Sequence, residues 1–249
     1  MTWYAYQVQN GSTDVDYLLF IGSSTWLLYS LHRIIGIERV GTFIQQGRYA
    51  IIKKYKPHIV VYACLALLIC GYSYLKLDWD IKMNILIPSA IAVFYISPFF
   101  PGKKRLRDLS WIKILLIGIS WSWLSTAIPM WSDNDMMIWT ISRFFFLIGI
   151  TIPFDLRDKA VDGQAGVKTI AHFAPANVLI SLGVLSIFIS LFLPMLFVHC
   201  SPEIQITEWI VHLIAVTLIV ISTRFKSDYF CSFLLDGTMG LFALIYLLI

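Results

Sequence analysis

The feature that limits this chain most is the repeated return of apolar stretches about 18 to 24 residues long. A helix rises about 1.5 Å per residue, so roughly 20 apolar residues cross a hydrocarbon core of about 30 Å. Eight such runs occur, at 16–35, 57–75, 83–100, 110–131, 136–153, 176–198, 207–222 and 229–249. Strands fit poorly, because the runs lack alternation and an open sheet in lipid would leave backbone groups unpaired. With 58% apolar and only 14% charged residues, little is left from which to build a soluble domain. The expected fold class is all-α: a polytopic transmembrane helical bundle of about eight spans. No fixed-period repeat or low-complexity linker divides the sequence, so 1–249 is expected to be one domain.

Charge sets an expected orientation, since Lys and Arg accumulate in cytoplasmic loops. The loops after the first, third, fifth and seventh runs hold fifteen Lys and Arg residues, whereas the opposite loops hold Lys76 and Lys82. The opposite face carries Asp14, Asp16, Asp133, Asp135, Glu203 and Glu208. Both termini are therefore expected outside the cytoplasm, in an integral protein of the cytoplasmic (inner) membrane. The net charge of +4 reads as orientation and not as nucleic-acid binding, because the basic residues are split among loops with no nucleic-acid motif around them. The first fourteen residues lack a positive region and short apolar core of a removable signal, so the first span is expected to act as its own insertion signal. Cys64, Cys70, Cys200 and Cys231 form no C-x-x-C pair and read as packing residues.

Residues 151–169 read TIPFDLRDKAVDGQAGVKT, with Asp155, Asp158 and Asp162 at i, i+3 and i+7. On a helix these fall within about 60° of arc, so three carboxylates share one face. Twelve aspartates placed at random would give this spacing only about 0.03 times. Hard oxygen donors suit Mg2+, which commonly takes one or two carboxylates and completes its shell with substrate phosphates. A solvated, charged cytoplasmic loop is the plainer alternative; it accounts for Arg157 and Lys159 but not for three spaced aspartates.

At these residues the chain resembles the UbiA superfamily of intramembrane prenyltransferases, whose second motif is D-x-x-D-x-x-x-D followed by Gly, a basic residue and Thr. Here the positions are Asp155, Asp158, Asp162, Gly166, Lys168 and Thr169. A second likeness is YISPFFPGKKRLRDLSWIKILLIGISWSW, similar to the family's Tyr, Pro and Lys-Arg loop ahead of a helix with Gly and Trp. The resemblance implies helices around a central cavity, with prenyl diphosphate held through Mg2+ by Asp155, Asp158 and Asp162. It implies phosphate contacts from Lys168, Lys103, Lys104 and Arg105, and a lipophilic or aromatic acceptor attacking the allylic carbon as diphosphate leaves. The three aspartates are thereby the expected catalytic and metal residues. The basic residues are equally explained by topology.

The family's first motif, N-x-x-x-D-x-x-x-D, corresponds to YSLHRIIGIERV, with Ser30 on the Asn position, Ile34 on the first Asp and Glu38 on the last. Glu38 is the expected remaining metal ligand of that motif, and His32 and Arg33 are expected to meet diphosphate directly, since a guanidinium binds phosphate oxygens in bidentate fashion. The span that precedes the first run in the family is reduced here to a stub around residues 3–9. Arg143 and Asp236 fall inside runs, where a charged group usually faces protein or a watery cavity. The alternatives are snorkelling of Arg143 to the outer interface and an interhelical hydrogen bond from Asp236. Lys113 is expected to snorkel to the cytoplasmic interface. Trp121, Trp123, Phe144, Phe145 and Phe146 line a prenyl groove or serve packing. The function expected is prenyl transfer from a prenyl diphosphate to an unidentified acceptor. Two rivals stand beside it: a prenyl-diphosphate or lipid-binding protein of the same fold without turnover, and a small transporter using Arg143 and Asp236.

Overall fold

The computed structural model describes residues 1–9, 11–37, 47–97, 105–106, 112–164, 166–225, 227 and 229–249. Among them there is no strand, and ten α-helices follow one another. These are α1 (Thr2–Val8), α2 (Val15–Gly36), α3 (Gly47–Lys54), α4 (Lys56–Lys76), α5 (Trp79–Ile96), α6 (Ile112–Ser122), α7 (Met136–Gln164), α8 (Ala176–Phe197), α9 (Pro202–Ile221) and α10 (Asp236–Leu248). Among the described residues, seven helical segments are long and apolar enough to cross a membrane, which makes the chain an integral membrane protein of the all-helical class.

Among the described residues the fourth apolar run is not a span of that length. It gives a shorter helix, 112–127, whose last residues, Trp123–Ala127, are a π turn closed by Ile128 N donating to the Trp123 carbonyl at 3.1 Å. The chain then leaves the helix in turns at 128–132, where Pro129 has no N–H to donate. The Pro129 carbonyl accepts from Gln9 Nε2 at 2.6 Å. The stub expected around residues 3–9 is thus a two-turn helix, α1, followed by a residue that satisfies the end of another element.

The chain divides into two compact units. The first comprises 1–13, 111–159 and 169–249, and the second comprises 14–110 and 160–168. In the first, Phe146, Leu147 and Ile150 of α7, Ile187 of α8, Val211, Ala215 and Ile219 of α9, and Phe242 of α10 form one buried cluster with Tyr4 of α1. The most apolar window of α7 is 56% buried against 17–39% in the other six spans, so α7 is the most enclosed helix. Close helix approach uses glycine, as expected where packing and not apolar transfer drives association. A Cβ at Gly149 would lie 2.7 Å from Ile187 Cδ1 and 2.9 Å from the Gly183 carbonyl oxygen, fixing the α7–α8 crossing. A Cβ at Gly118 would lie 3.0 Å from the Phe144 ring, so α6 meets α7 there.

In the second unit α2 packs chiefly on α4. Asp14 caps α2 by accepting from Tyr17 N at 2.9 Å. Small buried residues of α4, Ala63, Ala66 and Ser73, admit α2, with Phe20 against Tyr74 and Trp26 against Tyr62. These paired rings run in opposite chain directions, so α2 and α4 are antiparallel, and Lys76 at the end of α4 lies 3.7 Å from Asp16 at the start of α2.

Candidate functional site

The fifth run does not stop at Pro153. Proline removes one intrahelical donor, yet α7 continues through it to Gln164. Asp155, Asp158 and Asp162 therefore stand on one helix, as the spacing requires. Asp155 is the twentieth residue of α7, about 30 Å along the axis from the first, which is about one hydrocarbon thickness. In the second unit the helix ends with a Schellman motif: Val167 N donates to the Asp162 carbonyl at 2.8 Å and Gly166 N to the Gly163 carbonyl at 3.1 Å. Gly166 has φ +73, a left-handed conformation that favours glycine and gives it a local reason to stand in the motif. The aspartates lie toward the carboxyl end of the helix, where its dipole disfavours negative charge. Local helix physics does not explain them; their partners do.

Asp155 is 1% exposed, and its Oδ1 accepts from Lys113 Nζ of α6 at 2.6 Å. Lys113 is thus not a snorkelling residue. It is buried because a carboxylate faces it across the α6–α7 packing, and a buried ammonium needs such a partner. Asp158 is gripped at two points by Arg157, with Nε 2.8 Å from Oδ1 and Nη2 2.9 Å from Oδ2. The Arg157 guanidinium lies over the Phe154 ring, 5.1 Å from its centroid. Both members of the motif in the first unit therefore already hold cations of the chain. Carboxylates are the right donors for magnesium, but no group of three His, Cys, Asp or Glu side chains that could hold a metal occurs among the described residues. The arrangement does not fit a resident ion; it leaves room for one only if Lys113 and Arg157 change partners.

The other expected site residues are placed as follows. Asp162 is buried, and Lys168, two residues before the short segment Ile170–His172, is exposed. Arg105 is buried. His32 is half-buried and Arg33 exposed in the last turn of α2, where a cation also suits the helix dipole. Glu38, Lys103 and Lys104 lie outside the described residues.

A second polar constellation in the first unit is one that sequence reading missed. The charge distribution put Glu208 among the acidic residues of the non-cytoplasmic face, but Pro202 starts α9 and makes Glu208 its seventh residue, fully buried. Glu208 holds Arg143 of α7 at two points: Nη1 donates to Oε2 at 2.9 Å, and Nη2 donates to Oε1. Arg143 faces the protein interior, 2% exposed, with its guanidinium 4.2 Å from the Phe242 ring centroid and 5.2 Å from that of Trp139. His212, one turn after Glu208, donates from Nδ1 to the Glu208 carbonyl at 2.7 Å; in that tautomer Nε2 accepts from the Ser190 hydroxyl at 2.9 Å. Ser142 then donates to the Ser190 carbonyl at 2.7 Å. The i, i+4 spacing of Glu208 and His212 inside an apolar run was the available signal. Phe146 packs edge-on against His212, so at least this member of the aromatic set is a core residue. Asp236 opens α10 directly after a second π turn, Phe230–Leu235, and is half-buried. A cleft of about 180 Å³, lined in part by Asp133, Asp135, Trp139, His199 and Ile204, lies in the same unit. Trp139 and Ile204 are one turn before Arg143 and Glu208 on their helices, though neither Arg143 nor Glu208 lines the cleft.

No family model matches the chain, and neither does any curated protein or solved structure. What the fold and composition define is the class, a polytopic α-helical membrane protein.

Proposed function

We propose that the chain is a UbiA-like membrane prenyltransferase acting on a magnesium prenyl diphosphate. The observation that carries this reading is the Asp155–Lys113 pair, a buried carboxylate and a buried ammonium 2.6 Å apart, about one membrane thickness along α7. Placing acids toward a helix carboxyl end and then neutralising them with buried cations costs stability twice. A charged ligand at that depth gives such an arrangement a purpose. The reaction breaks the C1–O bond of the prenyl diphosphate, the electron pair leaving with diphosphate. A nucleophilic atom of the acceptor forms the new bond to C1, and its proton passes to solvent. Lys113 and Arg157 are the chain's own groups for the negative charge that grows on the leaving oxygen.

A second reading, binding without turnover, is favoured by Ile34 standing where the first motif carries an aspartate. The test is release of diphosphate when purified protein is incubated with geranylgeranyl diphosphate, magnesium and a panel of quinone precursors, tetrapyrroles and glycerol lipids. Release that depends on one acceptor supports transfer. Saturable binding without release under any acceptor assigns the chain to the second reading.

A further inference from the structure

We propose that the cleft at the start of α7 is a binding site for a small primary ammonium compound that also carries an acceptor oxygen, an amino alcohol in its simplest form. Its walls come from one unit: Gln9 after α1, Asp133 and Asp135 in the turn before α7, Trp139 in the first turn of α7, and His199 and Cys200 between α8 and α9. Trp139 stands sixteen residues before Asp155, about 24 Å along the helix, so this site is separate from the aspartate motif and does not rest on the prenyl-transfer reading. Asp133 and Asp135 give the cleft two negative charges, and no Lys or Arg among the described residues lines it. The two acids alone would define nothing, because Asp135 also suits the start of a helix and Asp133 Oδ1 accepts from Asp135 N at 2.7 Å.

The independent observation is Trp139. Its ring is 2% exposed, and its indole N–H has no hydrogen-bond acceptor among the described residues. The N–H is not among the side-chain atoms fully sealed by packing, so it faces the cleft that the ring lines. One side of the ring system already meets the Arg143 guanidinium, 5.2 Å from the centroid, so what Trp139 offers a ligand is the N–H and not a cation-binding face. An indole N–H can only donate, and it therefore calls for an oxygen; the carboxylates can only accept, and call for an ammonium. A phosphate or carboxylate is disfavoured there for want of a lining cation. The volume of about 180 Å³ gives room for about six water-sized groups, enough for a ligand of a few heavy atoms that holds both functions.

Ethanolamine is the probe and propylamine, of the same size without the oxygen, its comparison. Saturation-transfer NMR on full-length protein in phosphatidylcholine nanodiscs reads both. Ethanolamine should bind saturably and at least about fivefold more tightly than propylamine, because a site that donates to an oxygen is left unpaired by the analogue that lacks one. Trp139→Phe keeps a ring and removes the N–H, and should bring the two amines to equal affinity. Asp133→Asn/Asp135→Asn keeps the Oδ1 acceptor of the turn on half-buried side chains, and should weaken both amines at least tenfold while the protein melts like the parent. An ammonium beside an oxygen also occurs in a phosphatidylethanolamine headgroup, so the titration is repeated in nanodiscs containing that lipid. Unchanged ethanolamine affinity assigns the site to a free amine, and competition assigns it to the headgroup; both support the site. A parent that binds the two amines equally, that shows no saturable ethanolamine binding, or whose affinity survives Asp133→Asn/Asp135→Asn overturns the proposal.

Discussion

Glu208 of α9 and Arg143 of α7 meet at two points in the interior of the first unit, and His212, one turn on, hydrogen-bonds the carbonyl of the same Glu208. Such a pair contributes little by itself, since taking both ions out of water cancels much of their attraction, but breaking it is costly. Arg143→Met should therefore destabilise the protein by about 3 to 5 kcal/mol, the cost of a buried charge left without its partner. Arg143→Met/Glu208→Gln should recover most of that loss. Unfolding of detergent-solubilised protein by added SDS, followed by tryptophan fluorescence, measures both. If the single variant is as stable as the parent, the carboxylate is reaching water or another cation.

Glycine decides the crossing of α7 and α8. Gly149→Ala places a methyl 2.9 Å from the Gly183 carbonyl oxygen, a backbone atom that cannot turn aside. A loss of about 1 to 3 kcal/mol is expected, the usual range for overpacking, and Ile187→Val should restore only part of it because the backbone contact remains. Gly237→Ala, whose Cβ meets nothing within 4 Å, is the control and should be neutral or slightly stabilising in its helix. Equal melting of the two alanine variants would show that the helices separate freely.

Orientation is tested by single cysteines in the loops, with Asp133 and Lys159 toward opposite ends of α7, a helix of 29 residues and about 43 Å. In a cysteine-free background, single cysteines at Lys54, Lys104 and Lys159 should resist an impermeant thiol reagent applied to intact cells, and one at Asp133 should label. Labelling at Lys104 from outside would reverse the orientation that the Lys and Arg bias implies.

Much of the fold was legible because the bilayer fixes a length, and a run of some 20 apolar residues has few alternatives to a spanning helix. Helix ends were less legible. Pro153 and Pro202 bracket apolar runs, but the first stands inside α7 and the second begins α9, so the helices extend beyond what hydropathy marks. That extension changes the chemistry. It brings the three aspartates of the motif onto one helix, as their spacing alone suggested, and it takes Glu208 from the outer end of a run into the core. Partners were not legible at all: Lys113 and Asp155 are 42 positions apart and Arg143 and Glu208 are 65 apart, and no local pattern links them. The described part of the fourth run, 112–127, ends in a π turn ahead of Pro129, although the composition stays apolar to Trp131.

Arg33 separates what the resemblance implies from what the helix requires. As a diphosphate contact, its replacement in Arg33→Ala should weaken geranylgeranyl diphosphate binding by about 1.5 to 3 kcal/mol, the range for a hydrogen bond to a charged group. Unchanged affinity by calorimetry would reduce Arg33 to a favourable cation in the last turn of α2.

Recognition of a diphosphate at the Asp155 end of α7 is tested most directly by comparing two ligands that share one tail. Purified protein is titrated in magnesium with geranylgeranyl diphosphate and, separately, with geranylgeraniol. The diphosphate should bind at least tenfold more tightly, about 1.4 kcal/mol, and Asp155→Ala/Asp158→Ala should abolish that margin. Equal affinity for alcohol and diphosphate, or a margin that survives the double substitution, would contradict a diphosphate site at these aspartates.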